Sequence, residues 1–252
     1  MARQFHINSR HIKESAVLLD AEESHHAVKV LRLKNGHAIE LFDGEGNSYS
    51  GTVLGLKNGR LEVSLNERDK KREENVDCFQ ISIAVSVIRS ERMEMLVEKC
   101  SELGAHSIHP LITHRSIIRM PRERWASKIE RWQKIARESC KQCGRNVIPT
   151  VHETETFEKF ISQFKTFDRI LMPTLAAPRM SIQKTLDTQK PKKILLLIGP
   201  EGDFTKEEVE KAVVNGAKPV TLGPFVLRTE TAAIYLLSAL NFYLNYNRYC
   251  VD

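Results

Sequence analysis

Two short apolar segments near the C-terminus, each followed directly by Gly-Pro, limit what this chain can fold into more than any other feature. Residues 194–198 form a continuous apolar run that ends in the sequence Gly-Pro-Glu-Gly at 199–202. Such a run is typical of a strand buried on both faces. A second apolar run, residues 219–222, ends in Gly223-Pro224. Both segments therefore predict strands that end abruptly in a loop where glycine allows a sharp turn.

A helix is predicted after each of these loops. Thr205 and Glu208 have the spacing of a capping box, and an apolar helix is expected from Thr231 onward. In open α/β sheets, ligands bind outside the carboxyl ends of the strands. Two such loops on neighbouring strands would form a pocket walled by backbone amides and carbonyls.

The middle of the chain has the same alternating α/β pattern. Apolar residues predict a strand from Phe79 and a helix from 89 to 103, and then a strand from 107 to 113. An amphipathic helix is predicted from 122 to 143, with two cysteines, Cys140 and Cys143, on its apolar side. Three further predicted elements are a helix at 157–164, a strand at 169–172 and a loop, Pro173-Thr174-Leu175, after that strand.

The first part of the chain has the pattern of a small β domain. Asn58-Gly59 predicts a tight hairpin turn, because both residues tolerate positive φ. The charged stretch at 66–75 predicts a domain boundary. Several short strands with turns at this spacing suggest a barrel with one helix at 21–33. The predicted strands are residues 3–7, 16–19, 37–42, 48–56 and 60–65.

Charge is distributed unevenly along the chain. The formal net charge is +6. Residues 110–149 carry ten Lys or Arg and three Glu, so the entire basic excess lies in this stretch. A clustered excess indicates a polyanionic partner, with nucleic acid as the first candidate. The alternative is an ordinary solvated helix face.

Other features exclude several classes of protein. No apolar run reaches the 18 residues of a membrane span, and the N-terminus lacks a signal-peptide core. Five cysteines without regular spacing indicate a reducing compartment. Neither the adjacent His25-His26 nor the Cys-x-x-Cys at 140–143 has further ligands at zinc spacing, so no metal is expected.

The two loop sequences, IGPEGDF and LGPFVLRTETAA, together resemble the SPOUT class of methyltransferases. Within that class they are similar to the ribosomal small subunit methyltransferase E family. Further matches support this: H-x-x-x-V-L-R at 26–32, Glu-Leu-Gly at 102–104, Pro-Leu at 110–111, Arg-Ser at 115–116 and Gly-Arg at 144–145. The resemblance covers nearly the whole chain.

The resemblance implies an α/β fold in two domains. These would be a PUA-like β-barrel RNA-binding domain at 1–73 and a SPOUT methyltransferase domain with a C-terminal trefoil knot at 74–252. It also implies a cytoplasmic homodimer that methylates N3 of a specific uridine in 16S ribosomal RNA of the small ribosomal subunit. S-adenosylmethionine would be the methyl donor, and neither a metal nor a membrane is implied.

Carried over residue by residue, the resemblance also predicts the site. Methylation of N3 of uracil requires loss of an imide proton, so the enzyme must stabilise an anion or accept that proton. Arg145 and Arg228 are the candidates for stabilising the anion. Glu230 is a candidate proton acceptor, and the alternative is that it only caps the following helix. The predicted donor-binding residues are Met172, Pro173, Gly199, Pro200, Glu201, Gly202, Leu222, Gly223, Leu227, Thr229 and Ala232.

Five basic residues are predicted to contact RNA: Arg32, Arg115, Arg124, Lys128 and Arg131. The last three lie on the polar side of the predicted helix at 122–143. Arg115 is also a third, weaker candidate for anion stabilisation.

One residue departs from the family pattern. The family usually has GPEGG, whereas this chain has Asp203 in the last place. A side chain there that faced the carboxylate of the donor would weaken binding, and Asp tolerates a positive φ less well than Gly. Two other classes remain open: an RNA- or ribosome-binding protein without activity, and a phosphate-binding NTPase. The second lacks any G-x-x-x-x-G-K-[ST] motif.

Overall fold

The structure, a computed structural model, describes residues 4–13, 15–65, 79–116, 118, 120–176, 178–186 and 191–249. The chain divides into two compact units. The first comprises Met1–Val76 and Arg137–Ile148, and the second Asp77–Ala136 and Pro149–Asp252. The predicted boundary at residue 73 lies outside the described residues. Residues 137–148 join the first unit because their turn bonds to it: Ile148 N donates to Gly44 O over 3.0 Å and Gly46 N to Asn146 O over 3.0 Å.

The first unit contains one six-stranded sheet. The strands are β1 (Gln4–His6), β2 (Ile12–Lys13), β3 (Ala16–Leu18), β4 (Ala38–Phe42), β5 (Ser48–Lys57) and β6 (Arg60–Leu65). Their order in the sheet is β1-β4-β5-β6-β3-β2, and every neighbouring pair is antiparallel except β1 with β4. Their side chains pack on a buried cluster that includes Phe5, Leu41 and Val63.

Two local predictions for this unit have clear outcomes. The hairpin between β5 and β6 is confirmed, with φ of 52° at Asn58 and 76° at Gly59. The helix predicted over 21–33 is shorter. Helix α1 (Ala21–His25) continues as a single π-helical turn, His26–Val30, and the backbone reaches a φ of 52° at Arg32. A left-handed residue cannot continue a right-handed helix, which explains the earlier end.

The second unit combines a seven-stranded parallel sheet with six α-helices in its described part, and the short helix at 157–160 continues as a 3-10 helix, Ile161–Thr166. The strands are β7 (Gln80–Ser86), β8 (Ser107–Ile112), β9 (Thr150–Val151), β10 (Glu155–Thr156), β11 (Arg169–Pro173), β12 (Lys193–Ile198) and β13 (Ala217–Val220). The helices are α2 (Ser90–Glu102), α3 (Arg122–Cys143), α4 (Phe157–Phe160), α5 (Ile182–Leu186), α6 (Lys206–Val214) and α7 (Thr229–Tyr249). The end of α3, from Arg137, is grouped with the first unit.

The strand order corrects one expectation about the C-terminal loops. The order is β10-β8-β7-β12-β11-β13, with β9 also paired to β8. Strands β12 and β13 are therefore not neighbours, because β11 lies between them and pairs with both. Adjacent segments of sequence gave no sign that an earlier strand would separate them. The loop after β11 consequently lies between the two Gly-Pro loops.

The burial of β12 agrees with its position inside the sheet, between β7 and β11. All residues of β12 after Lys193 are buried, as expected for a strand with a pairing partner on each edge and helices on its faces. The capping box at α6 is present, with Thr205 and Glu208 each bonded to the backbone of the other. The apolar side of α3 is buried at Trp125, Trp132 and Cys140, but Cys143 is exposed and does not pack as expected.

Candidate active site

A cleft opens at the carboxyl ends of β11, β12 and β13. Three loops form its walls: the β11 loop (residues 174–176), the β12 loop (199–204) and the β13 loop (221–228). The cleft contains about 590 Å³ of empty space, including its open mouth. The chain places β12 on one side of β11 and β13 on the other, so the direction of strand addition reverses there. A cleft at the carboxyl ends of strands beside such a reversal is typical of ligand sites in α/β proteins.

Most of the predicted donor-binding residues line this cleft. Met172 does not, because it is fully buried within β11, and Gly202 does not either. The predicted residues that line the cleft are Pro173, Gly199, Pro200, Glu201, Leu222, Gly223, Leu227, Thr229 and Ala232.

Several cleft residues were not predicted as ligand-binding. Arg179 brings a cation to the cleft, and Phe225 and Val226 bring exposed apolar side chains. Arg179 reaches the site because the next residue, Met180, forms a bridge with Val220 at the end of β13. No motif in the sequence marks that pairing. The loop Pro173-Thr174-Leu175, expected as a third loop at the border of the ligand site, contributes Thr174 and Leu175 to the lining. The other unpredicted lining residues are Ile198, Asp203 and Val220.

The β12 loop is held from several sides. Its turn is closed by Asp203 N, which donates to Pro200 O over 2.9 Å. Arg115 Nη1 donates to Gly202 O over 2.5 Å, so this predicted RNA contact holds the loop in the structure. Thr229 Oγ1, at the start of α7, donates to Gly199 O over 3.0 Å. A Cβ at Gly199 would lie 3.1 Å from the Phe204 ring, so a larger residue there would require that ring to shift by a few tenths of an ångström.

Asp203 has a left-handed backbone with a φ of 59°. Its Oδ2 accepts hydrogen bonds from Thr174 Oγ1 over 2.8 Å and from Leu175 N over 2.7 Å. Its Oδ1 accepts from Phe204 N over 2.8 Å. Asp203 thus connects the β11 loop with the β12 loop.

Glu230 occupies the first turn of α7 and is only 3% exposed. The Arg92 guanidinium lies between two carboxylates, with Nε 3.7 Å from Glu230 Oε1 and Nη1 3.5 Å from Glu201 Oε1. Within the described part of the chain, Glu230 Oε2 has no hydrogen-bond partner. Glu230 does not line the cleft. Its position suits both stabilisation of the helix N-terminus and an ion pair that orients Glu201.

The two arginines predicted as catalytic lie in different units. Arg228 is exposed and follows the cleft residue Leu227, and its carbonyl accepts the first hydrogen bond of α7, from Ala232 N over 2.8 Å. Arg145 belongs to the first unit, where it follows Gly144 in the turn that ends α3. The β13 loop therefore places Arg228 beside the cleft.

The basic side of α3 is partly neutralised by other elements. Arg131 Nη2 lies 2.7 Å from Glu94 Oε2 on α2, and Lys128 Nζ donates to Ser90 Oγ over 2.7 Å. Arg124 is exposed. Farther along, in the first unit, Lys141 Nζ lies 2.8 Å from the buried Glu23 carboxylate. The fifth predicted RNA contact, Arg32, is exposed in that unit, in its left-handed conformation.

The described residues contain no group of three or more His, Cys, Asp or Glu side chains arranged to hold a metal ion. None of their helices is both long and apolar enough to cross a bilayer.

Comparison with known proteins defines the class. A family model described as an RNA methyltransferase domain matches residues 74–241, and a model described as an RNA methyltransferase PUA domain matches residues 19–66. Together with the parallel sheet and its cleft, these matches place the chain among RNA methyltransferases that carry a PUA domain.

Individual relatives are more specific. Ribosomal RNA small subunit methyltransferase E of Bacillus subtilis is 28% identical over 249 residues, 96% of either chain. A crystal structure of the enzyme of that name from Neisseria gonorrhoeae, bound to S-adenosyl methionine, is 28% identical with a TM-score of 0.84, covering 96% of this chain and 98% of the other. A SAM-bound structure from Legionella pneumophila is 31% identical with a TM-score of 0.86, at the same coverage. The chain belongs to the ribosomal RNA small subunit methyltransferase E family.

Proposed function

We propose that this protein transfers a methyl group from S-adenosylmethionine to N3 of a uridine in 16S ribosomal RNA of the small ribosomal subunit. The observation that carries the proposal is the cleft formed by the β11, β12 and β13 loops. It lies in a chain that matches the SAM-bound enzyme of Neisseria gonorrhoeae over 96% of its length. The RNA target is carried over from the names of the relatives. An rRNA target also supports the proposed cytoplasmic location.

The cleft residues suit the methyl donor chemically. Apolar side chains, Ile198, Leu222 and Leu227, provide a surface for a nucleoside, and Glu201 and Arg179 provide charges for its polar groups. Gly223 has a φ of 114°, and a Cβ there would meet no atom within 4 Å. At Gly223, which has no side chain, the backbone of the β13 loop can therefore come close to a ligand. When bound, the donor supplies a methyl group on a sulfonium whose departure needs neither a metal nor a protein nucleophile.

The side chains of this protein would manage the charge on the target base. As the N3 proton is lost, negative charge develops on the uracil oxygens, and a guanidinium stabilises it well. We assign this role to Arg228, which follows the cleft, and to Arg145. Glu230 is the proposed proton acceptor, reached after a local movement because it is buried in this structure. Arg32, Arg115, Arg124, Lys128 and Arg131 are the proposed RNA contacts.

A direct test is transfer of labelled methyl groups from S-adenosylmethionine to small ribosomal subunits that lack the modification. Digestion of the RNA and mass spectrometry of its nucleosides should detect 3-methyluridine. Methylation of a ribose or of another base atom would contradict the assignment of N3. Binding to the subunit without any transfer would instead support a non-catalytic ribosome-binding protein. Free 16S RNA, tested in parallel, shows whether the assembled subunit is needed.

We also propose that the protein works as a homodimer built partly on α7. One side of this helix is buried at Ala233, Leu236 and Leu240, yet Tyr235 and Phe242 are 48% and 70% exposed. Exposed aromatic residues on a helix are typical of a surface that a second chain covers. Light scattering of the dilute protein should give twice the mass of the monomer. A monomeric mass would exclude this assembly.

A further inference from the structure

Asp203 occupies the place where the motif of the family usually ends in glycine, and in this structure it joins two loops of the cleft. We propose that Asp203 is a positioning residue whose carboxylate bridges the β11 and β12 loops and thereby sets the affinity for the methyl donor. We call its three hydrogen bonds, from Thr174 Oγ1, Leu175 N and Phe204 N, the Asp203 bridge. The inference rests on the proposed assignment of the cleft as the donor site.

In the bridge, the Asp203 carboxylate contacts hydrogen-bond donors of the two loops, whereas weaker binding was expected only for a side chain that faced the carboxylate of the methyl donor. Both carboxylate oxygens accept hydrogen bonds from the loops, at 2.7 to 2.8 Å. Hydrogen bonds to an ionised acceptor are about twice as strong as those between neutral groups. Donors of the protein itself therefore stabilise the negative charge, and the same bonds order the walls of the cleft.

The backbone at Asp203 is consistent with this role. A φ of 59° is uncommon for a residue with a side chain, although Asp is enriched there because it can bond locally. Here Oδ1 accepts from the next amide, Phe204 N, which supports the left-handed conformation. Strained residues of this kind persist where the surrounding structure determines them, and they cluster at ligand sites.

Thr174, the side-chain partner of the bridge, is buried and makes a second hydrogen bond. Thr174 is 5% exposed, and its hydroxyl accepts from Ala176 N over 3.2 Å while donating to Asp203. The β12 loop is held on another side by Arg115, which donates to Gly202 O. Since Thr174, Leu175 and Asp203 all line the cleft, loss of the carboxylate should loosen its wall directly.

Calorimetry with S-adenosylmethionine on the full chain tests the proposal. Asp203→Gly relieves the backbone strain, so the fold should survive, yet it removes all three hydrogen bonds. The Kd for the donor should rise about tenfold, the equivalent of roughly one charge-assisted hydrogen bond. The KM for the donor should rise by a larger factor than turnover at saturating donor and RNA falls, because the bridge acts on donor binding. A variant that binds the donor as tightly as the parent, or more tightly, overturns the proposal.

Three matched variants separate the bridge from a general loss of structure. Thr174→Val should weaken donor binding, and Thr174→Ser, which keeps the hydroxyl, should restore it. The double variant Asp203→Gly/Thr174→Val should bind no more weakly than Asp203→Gly alone, because both changes break the same interaction. Strictly additive losses would show that the two residues act separately and would contradict the bridge.

Hydrogen exchange without any ligand gives an independent measurement. In Asp203→Gly, the amides of residues 174–176 should exchange faster than in the parent. Unchanged exchange contradicts the bridge even if activity falls. If the parent binds the donor and depends on Asp203 but methylates no ribosomal RNA, the proposed function fails while the bridge stands.

Discussion

The cleft and the basic side of α3 are built in opposite ways, although both lie largely in the second unit. The cleft is formed by loops that are bonded to one another through Thr229, Arg115 and Asp203. The side of α3 instead presents long cations in water, and two of them, Lys128 and Arg131, have partners on α2. In the cleft, the position of each group depends on its neighbours, whereas on α3 each charge is nearly independent.

This contrast determines how each region should respond to mutation. Removal of one contact from an interconnected loop network leaves other groups misplaced or unpaired, which costs more than the contact itself. Exposed ion pairs contribute little, with a median of about 0–1 kcal/mol. Single substitutions should therefore have large effects at the cleft and small effects on α3.

The largest effect is expected from Arg228→Ala. If this arginine stabilises the charge on the base, turnover should fall about 100-fold or more, as for loss of one transition-state donor. Affinity for S-adenosylmethionine should change little, because Arg228 does not line the cleft. Single-turnover kinetics at saturating RNA provides the measurement. Normal turnover would remove Arg228 from the catalytic residues.

A smaller effect, on binding, is expected from Thr229→Val. The substitution keeps the shape of the side chain but removes the hydroxyl that donates to Gly199 O. Donor affinity should fall about tenfold, since a loop carbonyl loses its partner and the β12 loop its contact with α7. Thr229→Ser is the matched control and should behave like the parent. Equal donor affinity in the Val variant would show that the loop is held without this bond.

On α3 the expected effect appears in the salt dependence. Each phosphate contact contributes about 0.7 to 0.9 to the slope of log affinity against log salt concentration. The triple variant Arg124→Gln/Lys128→Gln/Arg131→Gln should flatten that slope, with turnover at saturating RNA near normal. Arg124→Gln alone should account for more of the change than Arg131→Gln, because Glu94 already pairs with Arg131. If the triple variant keeps the slope of the parent, this side of α3 is merely solvated.

The last effect concerns pH and a histidine pair in β8 and the segment after β9, and it leaves both the cleft and the basic side of α3 unchanged. His109 stacks on His152 with ring centroids 4.1 Å apart. Burial, followed by the neighbouring His152 and His106, lowers the pKa of His109 from 6.5 to about 3. The unfolded chain therefore binds more protons than the folded one between those pH values. His109 should therefore not lower the free energy of unfolding above about pH 6.5, and that free energy should decrease as the pH falls toward 3.

The control for this pH effect is His109→Gln, which cannot titrate. Thermal unfolding of both proteins between pH 7 and 4 measures the difference. The parent should lose stability more steeply with falling pH than the variant does. Parallel curves would mean that His109 does not contribute to the acid sensitivity.

Much of the fold could be predicted because local patterns are sufficient for it. The hairpin at Asn58-Gly59, the capping box at Thr205 and Glu208, and the bounds of α3 all depend on residues close in sequence. The predicted end of the first helix, at residue 33, was wrong because no local signal in the sequence marks Arg32 as a left-handed residue. Cys143 was also wrongly placed, since the final turn of an amphipathic helix can leave the core.

The motifs also predicted most of the residues around the cleft, but not its polar connections. Glycines and prolines that end strands are visible in sequence, so the lining by Gly199, Pro200 and Gly223 could be expected. The ion pair of Arg92 with Glu230 joins residues distant in sequence. So does the donation from Arg115 to Gly202, which gave a presumed RNA contact a role in the β12 loop.

By itself, the sequence determined the types of element, the two Gly-Pro loops and the family, because each depends on short-range backbone chemistry. Only the tertiary structure decided that β11 lies between β12 and β13, since strand order depends on hydrogen bonds between distant segments. That order brings Thr174 to Asp203 and turns an apparently unfavourable aspartate into a connection between two loops. The effect of a carboxylate cannot be read from the sequence, because it depends on which hydrogen-bond donors the fold places around it.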